Sequence, residues 1–242
     1  MAERRWERRA LWVVGAVGVA FCAWLLTRSP FVRAIGLGGL AKIGPAAVPA
    51  VREALDDDDK DIRQAAGAAL RDIGPAAVPS LVLSLRDGDA KVRIQSARAL
   101  AHLGPDARDA VAALVAVLAG DADETVRVEA VRALWCIGRE PSGASVPALH
   151  AALRDPSPRV RAAACEGLWR IGSSDQPIVV WLIEALEDSG AEVREKAAEA
   201  LAHIGPTARS ALPALRRHLD DPDGRVRSEV RDAIERLTGE DQ

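Results

Sequence analysis

The chain has 242 residues, a formal net charge of −3 at pH 7, 49% hydrophobic residues and only 3% aromatic residues. Residues 31–242 carry 27 basic and 33 acidic side chains, which gives this part of the chain a net charge of −6. Because nucleic-acid affinity depends mainly on neutralising phosphates, this acidic body argues against a nucleic-acid partner.

The amino-terminal residues predict a membrane anchor. Residues 1–9 hold four arginines, and residues 10–26 are uncharged and almost wholly apolar, enough for a helix of about 25 Å. We therefore predict a basic cytoplasmic amino terminus (1–9), a transmembrane signal anchor in the lipid bilayer (10–28) and an extracytoplasmic repeat domain (29–242). Two alternatives remain: a cleaved signal peptide, which would give a secreted protein, and a buried core helix.

A phrase of fixed spacing recurs through the rest of the chain, at steps of 30, 30, 34, 34, 33 and 33 residues. Its valine position is Val32, Ile62, Val92, Val126, Val160, Val193 and Val226, and its leucine position is Leu40, Leu70, Leu100, Leu134, Leu168, Leu201 and Ile234. A unit of this length has room for two short helices but cannot bury its apolar face without neighbours. The pattern predicts an all-α, rod-like α-solenoid of about six helical hairpins plus an amino-terminal half repeat, preceded by one transmembrane helix.

Residues 73–103 show how one unit is built. Gly74 is placed for a left-handed helix end, and Pro75 is placed to open the next helix, where its missing N–H costs nothing. Helix A of the unit runs on from Val78. Asp87 and Asp89 precede helix B, where carboxylates cap free N–H groups.

One aspartate and one arginine recur in each unit around helix B. The aspartates lie five residues before the valine position (Asp57, Asp87, Asp121, Asp155, Asp188 and Asp221), and the arginines follow that position directly (Arg63, Arg93, Arg127, Arg161, Arg194 and Arg227). We predict a structural Asp/Arg ladder in which each arginine lies between carboxylates of its own and an adjoining unit. A row of catalytic groups is disfavoured, because active sites are not usually repeated at constant spacing.

The combination Leu-x-x-Ile-Gly-Pro, x-x-Val-Pro-x-Leu-x-x-x-Leu and Asp-x-x-x-x-Val-Arg-x-x-Ala-x-x-x-Leu resembles the short HEAT-like repeat first associated with phycobilisome lyases, over residues 29–239. Some members of that family handle bilins, and its deoxyhypusine hydroxylase relatives bind metal through His-Glu pairs. No His-Glu pair occurs here, since His102, His150, His203 and His218 precede Leu, Ala, Ile and Leu. We therefore predict no metal and no cofactor.

The outward positions of the B helices predict a partner-binding surface, because B helices line the concave side of such solenoids. The candidates are Ile94, Arg98, Val128, Arg132, Trp135, Glu166 and Trp169, and Trp and Arg are frequent at interaction hot spots. In the alternative interpretation the tryptophans are partly buried between B helices. Trp181 falls on an A helix and is expected on the opposite, convex side.

The sequence predicts a membrane-anchored scaffold that binds a protein partner and is not an enzyme. No nucleophile-base-acid set, phosphate-binding loop or dinucleotide motif occurs, so no catalytic residue is assigned. Two other classes stay open: an enzyme or bilin-handling relative of the lyases, and a purely structural rod.

Overall fold

The computed structural model describes residues 37, 39–138, 143–172 and 176–239. Over these ranges the chain forms helices and turns and contains no strand, so the all-α prediction is confirmed for them. No helix in the described part of the chain combines the length and apolarity needed to cross a membrane. The predicted basic terminus, the predicted anchor at 10–28 and the start of the half repeat lie outside the described residues.

Between residues 48 and 238 the described chain alternates short and long α-helices, which we number along the sequence. They are α1 Val48–Glu53, α2 Lys60–Ile73, α3 Val78–Ser84, α4 Ala90–Leu103, α5 Val111–Gly120, α6 Glu124–Ile137, α7 Ser145–Ala152, α8 Pro158–Gly172, α9 Gln176–Ala185, α10 Ala191–Ile204, α11 Leu212–Arg217 and α12 Gly224–Thr238. Odd numbers are the A helices and even numbers the B helices of consecutive hairpins. Residues 39–43, in the predicted half repeat, are also helical.

The chain forms two compact units, the first ending at Ala110 and the second beginning at Val111. In the first unit α2 packs against α4, and in the second α6, α8, α10 and α12 pack each on the next. The leucine position supplies the centre of these contacts, since its members from Leu40 to Leu201 are fully buried. Burial of a leucine side chain contributes about 1.5–3 kcal/mol, so this position alone is a large part of the stability of each layer.

The links between hairpins differ from the simple glycine-proline turn that the sequence predicts. Gly74 has φ 67° and ψ −153°, a region outside the left-handed helix that is essentially restricted to glycine. A 3-10 turn, Gly74–Ala77, then precedes α3. This link has 4 residues, whereas Gly104–Ala110 and Gly205–Ala211 have 7. The longer links account for most of the difference between units of 30 residues and units of 33 or 34.

Aspartates cap four of the B helices, as predicted, whereas α10 begins after Gly190 and has no side-chain cap. The Asp89 side chain accepts a hydrogen bond from the Lys91 N–H, and Asp59, Asp123 and Asp223 cap their own helices in the same way. The acidic run at 56–59 is therefore part of a helix amino terminus. Each such cap stabilises its helix by about 1 kcal/mol.

Candidate partner-binding surface

Two tryptophans lie near the carboxyl ends of adjacent B helices in the second unit. Trp135 on α6 and Trp169 on α8 are both half-buried. Between them lies Arg170, whose guanidinium carbon is 4.6 Å from the ring centroid of Trp135 and 4.8 Å from that of Trp169. Both distances are within the roughly 6 Å over which a cation and an aromatic face attract each other. One arginine therefore joins the two indoles.

The stack continues onto the next B helix, α10. The His203 imidazole on α10 lies parallel to the Trp169 ring, with centroids 4.4 Å apart and an interplanar angle of 12°. Glu166, one turn before Arg170, accepts a hydrogen bond from the Arg170 Nε at 2.9 Å. We call Trp135, Arg170, Trp169 and His203 the aromatic row.

The local sequence explains why Trp135 lies against its neighbour. Gly167 on α8 is buried, and a Cβ at that position would come within 3.4 Å of Trp135 Cδ1 and 3.2 Å of Leu149 Cδ2. The missing side chain therefore allows the α8 backbone to lie close to Leu149 and to the edge of the Trp135 indole. Both tryptophans keep part of their surface in solvent and bury the rest. The exposed-surface interpretation therefore describes one part of each ring, and the interpretation of burial between B helices describes the other part.

The other predicted contact residues are distributed over both units. Ile94 and Arg98 lie on α4 in the first unit and are half-buried. On α6, Val128 is half-buried, whereas Arg132 is exposed and places Nη1 3.5 Å from the Glu129 Oε2. The structure thus brings Trp135, Glu166 and Trp169 together. It also adds Arg170 and His203, which the sequence reasoning did not assign to the surface.

The sequence contains a pattern from which these two surface residues could have been predicted. Arg170 and His203 occupy the same position of adjacent units, ten residues after the valine position. The tryptophans are nine residues after the valine position, directly before Arg170 and His203 in the repeat. A list of every exposed position on the B helices would therefore have included Arg170 and His203. His203 lies in the last turn of α10, and its ring contact with Trp169 was not predicted.

Within the second compact unit, the predicted ladder residues of successive repeats bind each other. Arg127, Arg161 and Arg194 each donate two hydrogen bonds, from Nε and Nη2, to the aspartate of the following unit, Asp155, Asp188 and Asp221, at 2.7–2.9 Å. Paired bonds of this kind are the strongest that arginine and carboxylate form. The hydrogen bond from Arg194, the largest contribution, helps lower the pKa of Asp221 to about 2.

The same arginines also satisfy main-chain carbonyls within their own turn. Nη1 donates to the carbonyl of the preceding aspartate for Arg63, Arg93, Arg127, Arg161, Arg194 and Arg227, at 2.6–2.9 Å. The aspartates Asp57, Asp87, Asp121, Asp155, Asp188 and Asp221 each accept the N–H two residues on. These residues therefore close the turn between helix A and helix B, a structural role.

The histidines pack against other groups in the described chain. Within the part of the chain that the structure describes, no group of three or more His, Cys, Asp or Glu side chains could hold a metal ion. A Cβ on Gly67 would lie 3.1 Å from the His102 Nδ1, which places that ring against α2. Cys136 and Cys165 are free, and burial raises the pKa of the Cys165 thiol to about 12. Cys165 therefore serves as a small core residue.

Known proteins similar to this chain share the same architecture. The profile of HEAT repeats matches residues 20–101, 78–145 and 146–235. An engineered protein is 24% identical with a TM-score of 0.57, covering 91% of this chain and 96% of that one. The HEAT-like repeats protein of the archaeon Thermococcus onnurineus is 17% identical with a TM-score of 0.53, covering 91% and 97%.

A designed armadillo repeat protein, solved in complex with the peptide (KR)4, is also similar. It is 23% identical with a TM-score of 0.53, covering 78% of this chain and 99% of that one. No curated protein matches the sequence.

Proposed function

The chain belongs to the HEAT-repeat family, and from that premise we propose that it is a scaffold that binds a protein partner through its B helices, acting by binding rather than by catalysis. The observation that carries the proposal is the aromatic row, in which Arg170 lies between two half-exposed indoles. Trp and Arg are the residues that most often dominate binding energy. Apolar ring surface that stays exposed at one place on a protein is typical of an interaction site.

The row is already ordered before a partner arrives. Glu166 fixes the Arg170 guanidinium, and the buried parts of the two indoles restrict their rotamers. A partner therefore meets a rigid surface and loses less entropy on binding. The designed armadillo protein that holds (KR)4 supports a peptide or another protein as the class of ligand for this kind of fold.

We further propose that residues 10–28 tether the scaffold to a membrane, with residues 1–9 in the cytoplasm and the repeats outside it. The support is the sequence pattern alone: four arginines precede an uncharged apolar stretch. Protease added to intact spheroplasts should then digest the repeats. Protection of the repeats would refute this orientation, and recovery of free protein lacking residues 1–22 would favour the secreted form.

In-cell photocrosslinking tests the binding surface. Arg132, which is exposed beside Trp135, is replaced with p-benzoylphenylalanine, and the products are identified by mass spectrometry. We expect one discrete adduct that disappears when Trp135→Ala and Trp169→Ala are added, with the affinity for the identified partner reduced by about 30-fold or more, since a hot spot is worth at least about 2 kcal/mol.

Two matched controls make this test specific. The crosslinker placed at Arg216, exposed on the A helix α11, should give no such adduct. Trp181→Ala removes an equally half-buried indole from an A helix and should leave the adduct intact. An adduct that survives loss of both row tryptophans, or that is lost equally in Trp181→Ala, would overturn the proposal.

A further inference from the structure

Two neighbouring grooves in the second unit lie between consecutive A helices and have matching walls. The first, between α5 and α7, has a volume of about 370 Å³, and the second, between α7 and α9, has about 100 Å³. When the three A helices are aligned on their fully buried leucines, Leu114, Leu149 and Leu182, the lining residues correspond as follows: Val115 to His150, Leu118 to Leu153, and Ala148 to Trp181. The two grooves are therefore the same structural site in successive layers.

The second groove is filled by the chain itself. The Trp181 indole stacks on the His150 imidazole with a centroid distance of 3.8 Å and an interplanar angle of 10°. This stack shows which kind of side chain fits between two A helices of this protein. It also explains why the second groove is the smaller one.

The first groove lacks both of these rings. Ala148 stands at the Trp181 position and Val115 at the His150 position, and buried Leu118 and Ala152 form much of the floor. An apolar cavity of about 150 Å³ already accepts a benzene molecule. A groove of about 370 Å³ has room for an indole and part of its main chain.

The charges at the rim differ between the grooves as well. The second groove carries Glu184, and the first has Ala151 at that position. Asp155, at the end of the first groove, is already held by Arg127 through two hydrogen bonds. Arg154 is exposed, and its guanidinium has no ion-pair partner among the described residues. Arg154 also lines the second groove, beside Glu184 and Asp188, so it stands between the two grooves. The first groove therefore combines an apolar floor with an exposed arginine at its rim that makes no ion pair in the described part of the chain.

We propose that the groove between α5 and α7 binds an aromatic side chain of a partner protein, with an adjacent carboxylate of that partner on Arg154. The bound aromatic side chain would lie where the Trp181 indole lies in the groove between α7 and α9. The aromatic row lies on B helices, so this site does not depend on the function proposed above. It adds a second contact, on the A-helix side, for a segment with an aromatic residue next to Asp or Glu.

Methyl NMR on the full-length protein tests the site with defined probes. N-acetyl-Trp-Asp-amide should shift the methyl signals of Val115 and Leu118, whereas N-acetyl-Ala-Asp-amide should not. Ala148→Trp, which places the indole of the next layer in the groove, should abolish these shifts. Arg154→Gln should weaken the Trp-Asp probe about 5-fold or more and leave N-acetyl-Trp-amide unchanged.

The controls separate a filled groove from an unfolded protein. If Ala148→Trp does not fold, Ala148→Phe introduces a smaller ring at the same place, and its circular dichroism spectrum must match that of the parent chain before binding is compared. Absence of shifts in the parent chain, or probe binding that persists in a folded Ala148 variant, would overturn the proposal. Self-association, or binding to phosphatidylcholine vesicles, that only Ala148→Trp removes would assign the groove to a second copy or to lipid and would likewise overturn it.

Discussion

The ladder pair between Arg194 and Asp221 offers a direct test of how the layers are held together. The Asp221 carboxylate accepts Arg194 Nε at 2.8 Å and Nη2 at 2.9 Å, and it also accepts the Asp223 N–H at 2.9 Å. Only 12% of the arginine side chain and 3% of the aspartate side chain are exposed. Asp221→Asn keeps the shape of this site and removes its negative charge.

The expected loss follows from the pKa of Asp221. Hydrogen bonding from Arg194, the largest cause, helps lower this pKa from the ordinary 3.8 to about 2, which corresponds to on the order of 2 kcal/mol because one pH unit is worth about 1.4 kcal/mol. A lowered pKa in the folded state stabilises the protein above the unfolded pKa. That contribution is lost as pH falls from about 4 to about 2. The difference between parent and Asp221→Asn should therefore be largest near pH 7 and shrink over this window.

Urea denaturation at a series of pH values, followed by circular dichroism, measures this difference, and hydrogen exchange in α12 reports whether the last hairpin detaches first. Asp220→Asn is the matched control, because Asp220 is adjacent and exposed; it should change the unfolding free energy by less than about 0.5 kcal/mol. A loss below about 0.5 kcal/mol in Asp221→Asn at pH 7, or a difference from the parent that does not vary with pH, would refute the reasoning.

Three further outcomes are expected. Gly205→Ala should lower the unfolding free energy by about 1–3 kcal/mol, because φ at this residue is 70°. The control is Gly120→Ala, where nothing lies within 4 Å of the added Cβ; it should leave the unfolding free energy unchanged or raise it by up to about 1 kcal/mol. Equal melting temperatures of the two variants would contradict this prediction. In the native protein Ellman's reagent should leave Cys165 unmodified, since its side chain is fully buried, and should modify half-exposed Cys136. Peptide mass mapping checks both outcomes. Trp181→Ala should lower the unfolding free energy by about 1–3 kcal/mol, less than a fully buried tryptophan, and added free indole should restore part of the loss; no effect of indole would argue against a groove that accepts a ring.

Much of the fold was predictable because it depends on contacts between neighbours in sequence. The caps at Asp59 and Asp89 and the burial of Leu70 and Leu100 follow from helical periodicity and from the unpaired N–H groups of a helix start. The 3-10 link after Gly74 was not predicted. Glycine and proline in sequence indicate a turn but do not specify which of the glycine-only conformations the chain adopts.

The candidate surface was predictable only in part, for a different reason. The sequence places Trp135 and Trp169 in the same position of adjacent units, and this is enough to expect them on one face. That Arg170 lies between the two rings depends on the offset between α6 and α8 and on three side-chain rotamers. The spacing of the repeat determines neither the helix offset nor the rotamers.

The sequence by itself determined the repeat unit, the alternation of A and B helices, the buried leucine position and the aspartate caps, because each depends on the period of a helix or on groups a few residues apart. Only the tertiary structure decided which side chains meet across layers: the arginine between the indoles, the His150–Trp181 stack in one groove and the open groove beside it. Those contacts depend on how far one helix is displaced along the next, which varies with the length of each link and with the volume of every residue between them.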